Sequence, residues 1–379
     1  MDKSVKKKIE IQKLAEQAHI DSGLKSTICM SVGLGKGVLA LGRIIKKCKE
    51  NKKAKCLFFG DKTIYLTNFK MEFTKFKVEK YLDNVDLCCI DSLHKTEYDT
   101  HYDIIIYDEC HLSTELGYMY LEKAVKNNPD VEILCLTGTP KNSKRGDKNS
   151  FDLLTNICPI TYSKMIDASI EEGLINDYII NVIKIPFSEG KDMHVKTKGY
   201  DFWTSERKTY ESLMNKYQKR KSGQAFPFEL MNLKTFLKNS KTKVEYAKEL
   251  AKRLEYKKLL IYAGSIKQTK LFPYRAYHSE LDNKEKEQNY LDFYHGKIIE
   301  LVNVNGIKES VSVPDLTHSI ILSIDASDSS FEQILGRLCR LIPGTILGNI
   351  YVLIAENSIE ETWFEKATSK LDKSKINYI

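Results

Sequence analysis

The stretch that narrows the fold most is YDIIIYDECH, residues 102–111. Its apolar centre, residues 104–107, is typical of a strand buried on both faces, as strands of parallel sheets are. Asp108 and Glu109 follow, and in an open α/β sheet the carboxyl ends of strands face the ligand crevice. Asp108 is therefore a candidate for holding a metal ion and Glu109 for polarising an attacking water. A solvated acidic turn is the common alternative.

A glycine-rich turn lies further towards the N-terminus, in MSVGLGKG, residues 30–37. It falls between a predicted strand and a predicted helix, where glycines allow backbone N–H groups to converge on phosphate oxygens. Lys36 would add a positive charge near the β- and γ-phosphates. A tight turn with an exposed lysine explains the same residues equally well. A P-loop has Ser or Thr after its lysine as a Mg²⁺ ligand, whereas this chain has Gly37, so the metal would be held less firmly.

Two weaker signals follow the acidic strand. Residues 134–140, LCLTGTP, form a strand-like run that enters a turn rich in hydroxyl residues. Residues 331–340, FEQILGRLCR, place Arg337 and Arg340 on one helix face, with Gln333 one turn earlier. Such arginines can reach a γ-phosphate and offset charge in a transition state. A routine loop and a basic surface helix are the ordinary explanations of these two stretches.

The remaining chain alternates short apolar runs with amphipathic stretches, which is typical of strand–helix units in a parallel sheet. Strands are predicted at residues 27–30, 56–59, 87–90, 103–107 and 132–136, and again at 259–263, 299–302, 318–322 and 350–354. Helices are predicted at 36–47, 115–127 and 244–254. Residues 192–243 are predicted to be an irregular or helical connection. Two α/β lobes explain this pattern economically.

The composition sets wider bounds. The chain has 379 residues, a formal net charge of +8 and nine cysteines, and its length allows two or three domains. No apolar run approaches the roughly 18 residues that span a bilayer, and the basic N-terminus continues into an amphipathic segment, which argues against a secretory signal. The charge permits a polyanionic partner, but solubility explains it equally well. The cysteines lack zinc-site spacing and are expected to be buried thiols in a reducing cytoplasm.

Four motifs resemble motifs I, II, III and VI of superfamily 2 helicases in order and spacing. They are GLGK at 33–36, DECH at 108–111, TGTP at 137–140 and QILGRLCR at 333–340. Weaker similarities to the family surround Gln12, Lys62 in a motif Ia-like stretch, Ser92 before motif II, and Ser265 and His278 in stretches like motif IV and its sequel. The chain looks most like compact phage and restriction-type DNA helicases that carry a DEAH-like box. The resemblance covers nearly the whole chain except residues 192–243.

The resemblance implies an α/β fold of two RecA-like domains, residues 1–165 and 166–379, each a mostly parallel sheet flanked by helices. It also implies ATP in the interdomain cleft, with Mg²⁺. The implied roles are nucleotide contact by Gln12, Gly33, Leu34, Gly35, Lys36 and Gly37; Mg²⁺ binding by Asp108; catalysis by Glu109 with Lys36, Gln333 and the arginine fingers Arg337 and Arg340; coupling by His111, Thr137 and Thr139; and nucleic-acid contact by Lys62, Ser92, Ser265 and His278.

The function implied by the resemblance is ATP-driven movement on DNA or remodelling of it, at forked or branched DNA in replication, recombination or repair. The chain departs from the family at Gly37 and in the motif V region, where Ser310 and Ser312 lie among residues that lack the usual pattern. Two alternatives therefore stay open, a nucleic-acid-binding module with a degenerate ATPase and an RNA helicase. The expected partners are nucleic acid, DNA more than RNA, and replication, recombination or restriction proteins. The chain is expected to be a monomer in the cytoplasm of a bacterium or a phage-infected host.

Overall fold

The computed structural model describes most of the chain as two compact units. The first unit ends at Asn176 and the second begins at Asp177. The described residues are 3–31, 33–60, 63–95, 101–112, 115–138, 140, 150–197, 199–221, 227–254, 257–304, 313–324, 331, 334–335, 338, 347–369 and 371–379.

The first unit contains a six-stranded sheet in the order β3-β2-β4-β5-β1-β6, with every neighbouring pair parallel. Its strands are β1 (Lys25–Met30), β2 (Cys56–Gly60), β3 (Val85–Cys89), β4 (Ile104–Asp108), β5 (Glu132–Thr137) and β6 (Ile160–Lys164). Its helices are α1 (Lys3–Asp21), α2 (Lys36–Glu50), α3 (Thr63–Lys75), α4 (Glu115–Asn127), α5 (Ser150–Ile157) and α6 (Ile166–Glu171). Short 3₁₀ turns cover Glu79–Asn84, Ile90–Lys95 and Cys110–Leu112.

The core of the first unit is built on its central strands. Strand β5 is buried at every residue, and β4 is buried along its apolar run, as expected for strands covered on both faces. The rings of Phe59 on β2 and Tyr107 on β4 stack with centroids 4.3 Å apart. All eight described cysteines are free thiols, and seven of them are buried. The apolar runs thus form the interior that holds the ends of β4 and β5 in place.

The second unit contains a seven-stranded parallel sheet in the order β11-β12-β10-β13-β14-β7-β15, and a separate two-stranded hairpin, β8-β9. The strands are β7 (Asp177–Ile185), β8 (Met193–Thr197), β9 (Tyr200–Thr204), β10 (Leu259–Tyr262), β11 (Ala276–Tyr277), β12 (Glu300–Asn303), β13 (His318–Ile321), β14 (Leu347–Ala355) and β15 (Ile376–Tyr378). The helices are α7 (Glu206–Lys221), α8 (Pro227–Leu237), α9 (Lys241–Arg253), α10 (Ile266–Thr269), α11 (Asn283–Tyr294) and α12 (Ile359–Ala367), with a 3₁₀ turn at Lys373–Lys375.

The predicted strands and helices are confirmed with small shifts at their ends. Strand β4 ends at Asp108 and β5 at Thr137, one residue later than predicted. Helix α9 begins at Lys241 because the Ser240 side chain caps it, accepting a hydrogen bond from the backbone N–H of Lys243. Two α/β units with mostly parallel sheets and flanking helices confirm the predicted fold class.

The prediction for residues 192–243 is right for its helices but wrong for residues 193–204. These residues form the β8-β9 hairpin instead of an irregular or helical segment. The hairpin pairs His194 with Trp203 and Lys196 with Asp201, so one of its faces carries charged and aromatic side chains. A strand without a regular apolar face lacks the alternation by which strands are predicted from sequence.

A membrane span needs a long, apolar helix, and the described part of the chain contains none that qualifies.

Candidate functional site

The site lies where three neighbouring strands of the first unit end at one edge of the sheet. Strand β5 pairs with both β4 and β1, so the carboxyl ends of all three are adjacent. Asp108 is the last residue of β4, Thr137 is the last of β5, and Met30, the last of β1, leads into the glycine-rich loop. Because the carboxyl edge of a parallel sheet is where α/β proteins bind ligands, this edge is the natural place for chemistry.

The glycine-rich loop has a shape that only glycine permits. Gly33 and Gly35 have φ of 89° and 94°, in the left-handed region. A Cβ atom on Gly35 would also come within 2.2 Å of Nε2 of Gln12. That Gln12 amide donates a hydrogen bond to the backbone carbonyl of Leu34, at 2.8 Å. Helix α1 is thereby fastened to the loop, and Gly35 makes the close approach possible.

The start of helix α2 favours an anion. Gly35 provides no side-chain cap and the first turn contains no acidic residue, so the N-terminal backbone N–H groups face the cleft without a side-chain partner at the cap. Lys36 begins the helix, and its ammonium donates a hydrogen bond to the Met30 carbonyl at 3.1 Å. The same ammonium lies 3.7 Å from Oε1 of Glu109. Backbone dipole and side-chain charge therefore both suit a phosphate.

Glu109 is held in an unusual backbone conformation. Its φ is 50°, which is strained for a residue with a side chain, and it is only 5% exposed. Its Oε2 lies 3.3 Å from Nδ1 of His111, and that ring nitrogen is 2.9 Å from Oγ1 of Thr137. The side chains of motifs II and III therefore form a buried chain of contacts from Lys36 to the end of β5.

The residues at the end of β4 fit a divalent cation. Burial and the neighbouring Glu109 carboxylate raise the pKa of Asp108 above its ordinary value, although Lys36 partly opposes this. A cation at Asp108 would relieve the repulsion between the two carboxylates. The described residues contain no group of three or more His, Cys, Asp or Glu side chains arranged as a metal site. Mg²⁺ suits such a sparse site because it keeps several water ligands.

The loop, the acids and two helices enclose one cleft of about 620 Å³. Seven predicted site residues line it, Gln12, Gly33, Gly35, Lys36, Gly37, Asp108 and Glu109. The other lining residues on α1 and α3 were not predicted from the sequence, namely Val5, Lys8, Ile9, Asn68, Phe69, Glu72 and Lys75, nor was Phe76, which directly follows α3. Their spacing of three, four and seven residues along a helix could have predicted that they line the same surface, because such residues share a helix face.

The remaining predicted site residues lie elsewhere or outside the description. Ser92 lies in a 3₁₀ turn of the first unit, and Ser265 caps α10 in the second, where its hydroxyl donates to Asn239 at 2.7 Å. His278 is buried, which lowers the pKa of its imidazole. Lys62, Thr139, Gln333, Arg337 and Arg340 lie outside the described residues, as do Ser310 and Ser312.

The motif VI stretch is described only at its apolar positions. Phe331, Ile334, Leu335 and Leu338 are helical and buried. Their spacing is that of one helix face. The ring of Phe331 packs edge-on against Phe364, with centroids 6.2 Å apart. These four described residues therefore lie on one buried, apolar helix face.

Comparison with protein families gives two matches. A model of the type III restriction enzyme res subunit matches residues 3–142, and a model of the helicase conserved C-terminal domain matches residues 230–341. The first match contains the loop and the acids of the site, and the second contains the motif VI stretch. No curated protein matches the chain in sequence.

Three solved structures share the fold. S. cerevisiae Dbp5 bound to RNA and ADP BeF3 matches with a TM-score of 0.66 at 10% identity, over 100% of this chain and 94% of that one. The ATP-dependent Type ISP restriction-modification enzyme LlaBIII bound to DNA matches with 0.57 at 13% identity, over 97% of this chain and 31% of that one. The Pyrococcus furiosus Hef helicase domain matches with 0.52 at 11% identity, over 93% and 97%. The two domain matches and the shared fold support a superfamily 2 helicase of the restriction type, and helicases of this superfamily are ATP-hydrolysing enzymes.

Proposed function

We propose that the chain is an ATP-dependent DNA helicase or translocase, acting on forked or branched DNA, with RecA-like domains at residues 1–165 and 166–379. The observation that carries the proposal is the buried Glu109, which lies 3.7 Å from the Lys36 ammonium and 3.3 Å from His111 beside a phosphate-binding loop. A module that only binds nucleic acid has no need of a strained, buried carboxylate in this position. The match of the first unit to a restriction-enzyme subunit favours DNA over RNA. A cytoplasmic monomer belongs to the same proposal.

Each residue of the site has a role in this proposal. The N-terminus of α2 and the Lys36 ammonium hold the phosphates, and Glu109 accepts a proton from the attacking water. Mg²⁺ bound at Asp108 would neutralise charge on the phosphate oxygens. The contact of His111 with Thr137 links Glu109 to the end of β5, which suits a coupling role. Gln333, Arg337, Arg340 and Thr139 keep the roles that the resemblance implies.

The first prediction concerns stimulation by nucleic acid. Phosphate release should rise about tenfold or more when forked or single-stranded DNA is added, and RNA of the same length should stimulate less. The DNA concentration for half-maximal stimulation should rise steeply with salt, because the contacts are to phosphates. The experiment measures release with no nucleic acid, single-stranded, duplex and forked DNA, and RNA. The Glu109→Gln chain, prepared identically, controls for contaminating ATPases.

The outcomes distinguish three hypotheses about the function of the chain. Stimulation by DNA supports the proposal, and equal or better stimulation by RNA would replace it with an RNA helicase, the class to which the Dbp5 structure bound to RNA points. Nucleotide binding without phosphate release under every condition would favour a binding module with a degenerate ATPase.

The second prediction concerns Gly37, where the family has a hydroxyl. A Cβ atom at this position would meet only Cγ of Glu72, at 3.8 Å, which is ordinary van der Waals contact. Gly37→Thr is therefore expected to fold normally. Its hydroxyl oxygen would add one ligand to Mg²⁺, so the Mg²⁺ concentration for half-maximal hydrolysis should fall about fivefold, the size of effect expected for one polar contact.

Gly37→Ala is the matched control for this change. It adds the Cβ atom and the helix propensity of a side chain but no oxygen. A Mg²⁺ requirement that falls equally in Gly37→Ala and Gly37→Thr would show that helix stability, and not a missing ligand, limits the site.

A further inference from the structure

The β8-β9 hairpin is a separate two-stranded sheet of the second unit. Its strands hydrogen-bond to each other and, among the described residues, to no strand of the seven-stranded sheet. A lone two-stranded hairpin is marginally stable in water, so its order must come from the residues that flank it. There, the buried carboxylate of Glu206 accepts hydrogen bonds from the hydroxyls of Ser240 at 3.1 Å and Thr242 at 2.6 Å, and from the backbone N–H of Lys241 at 3.0 Å. The start of α7, which directly follows the hairpin, is thereby fixed to the start of α9.

Two large aromatic side chains of this hairpin are exposed to solvent. Trp203 is 58% exposed and Phe202 is 47% exposed. Their positions are consecutive in a strand, so they face opposite sides of the hairpin. Burying one such ring is worth about 2–3 kcal/mol, so each exposed ring offers binding energy to a partner on its own side of the hairpin.

The indole of Trp203 is held in one orientation. The His194 ring stacks on it, with centroids 4.9 Å apart and planes 22° from parallel. His194 is fixed in turn by Asp201, whose Oδ1 lies 2.6 Å from Nε2 of the imidazole. One face of the indole is therefore covered, and its large remaining exposure leaves the other face open. A planar ring that is already oriented loses little entropy when a second planar ring stacks on it.

The charge around the hairpin selects the kind of partner. Residues 191–221, which contain the hairpin and α7, have nine Lys and Arg against four acids, a net +5 of the +8 carried by the whole chain. Glu206, one of the four acids, is buried. Exposed aromatic rings among cations are typical of binding sites for single-stranded nucleic acid, because the bases stack on the rings and the lysines contact the phosphates.

We propose that the hairpin is a base-stacking platform for single-stranded nucleic acid, with Trp203 as the ring that receives a base. This inference rests on the proposed function, because it names an element by which the motor grips its strand. It also gives a role to the part of the chain, residues 192–243, that the family resemblance does not cover.

The test uses the fluorescence of the full-length chain. Only two tryptophans are present, Trp203 and Trp363, and Trp363 is 8% exposed with a lysine over its ring. Trp363→Phe makes Trp203 the sole indole. Titration of this variant with (dT) or (rU) oligonucleotides should quench its emission, since a stacked base quenches an indole. Trp203→Phe, which leaves only the buried indole, should show little quenching.

Binding measurements complete the test. Trp203→Ala should raise the Kd for a labelled (dT) oligonucleotide about tenfold, which corresponds to about 1.4 kcal/mol of stacking. Trp203→Phe should restore most of the affinity because a smaller ring still stacks. Phe228→Ala is the matched control, since Phe228 is an equally exposed aromatic residue of the same unit, on α8, and its loss should leave the Kd within about twofold.

The outcomes distinguish this inference from the proposed function. Oligonucleotide binding without indole quenching, and with an unchanged Kd in Trp203→Ala, overturns the platform. The exposed rings of the hairpin would then be assigned to contact with a protein partner, and DNA-stimulated hydrolysis would be unaffected by this result. A wild-type chain that binds no oligonucleotide at all overturns the platform and the proposed function together.

Discussion

Replacing Glu109 by glutamine is expected to slow ATP hydrolysis by about 100- to 1,000-fold while leaving nucleotide affinity within about threefold of the wild-type value. Glutamine has the same size and can keep the contacts that the carboxylate makes, so the loop and Lys36 stay in place. What it lacks is the negative charge that accepts a proton from the attacking water. The measurements are single-turnover phosphate release and the Kd of a fluorescent nucleotide.

Two companion variants make this result specific. Lys36→Ala should lose nucleotide affinity as well as hydrolysis, because the ammonium acts on the bound phosphates before and during the reaction. Glu122→Gln, in an exposed pair with Lys126 on α4, should change neither quantity, because such pairs contribute little. A Glu109→Gln chain that hydrolyses ATP at the wild-type rate would remove Glu109 from the mechanism, and the proposed function with it.

The parts of the site that lie on strand ends could be predicted from sequence. Parallel strands have their carboxyl ends at one edge, so residues at the ends of three apolar runs are brought together by the sheet itself. Asp108, Thr137 and the loop after Met30 follow this rule, and the sheet order places β5 between β4 and β1. What the sequence could not supply is the contact of His111 with both Glu109 and Thr137, since it depends on the strained backbone at Glu109.

The walls of the cleft were less predictable because helices contribute them from a distance. Gln12 reaches the loop only because helix α1 packs beside it, and the missing Cβ of Gly35 leaves room for its amide. A glycine in a phosphate-binding loop is expected for its backbone, and its second role as a space for Gln12 appears only in three dimensions. The hairpin was missed for a different reason, since its exposed faces carry no apolar alternation and its order depends on Glu206, far along the chain from Ser240.

Replacing Glu132 by alanine is expected to lower the unfolding free energy of the first unit by about 3–5 kcal/mol, the usual cost of leaving a buried charge without its partner. Glu132 begins β5 and is fully buried. Its carboxylate accepts hydrogen bonds from Arg43 at 2.7 Å and 3.1 Å and lies 3.1 Å from the His19 ring and 3.2 Å from the Lys47 ammonium. It thereby joins α1 and α2 to the sheet.

The control for this change acts on the same arginine. Glu16 contacts Arg43 at 3.0 Å, but its side chain is partly exposed, so Glu16→Ala should cost about 1 kcal/mol or less. Eight of the nine cysteines lie between residues 29 and 158, whereas both tryptophans lie in the second unit. Thiol labelling over a urea series therefore reports unfolding of the first unit within the full-length chain. Equal decreases in unfolding free energy in Glu16→Ala and Glu132→Ala would show that the buried contact of Arg43 with Glu132 contributes no more than its partly exposed contact with Glu16.

The same carboxylate should make the first unit sensitive to acid. Burial alone raises a carboxyl pKa, but the hydrogen bonds and charges of His19 and Arg43 outweigh it and lower the pKa of Glu132 from 4.5 to about 2. A carboxyl whose pKa is lower in the folded state stabilises the fold above its unfolded pKa and loses that contribution as the pH falls through the folded one. The difference between the two values corresponds to about 3 kcal/mol, in keeping with the cost expected for Glu132→Ala. The gap in unfolding free energy between wild type and Glu132→Ala should therefore be constant above about pH 5 and close progressively towards pH 2, and a gap that stayed constant over that range would mean that the ion pairs of Glu132 do not stabilise the fold.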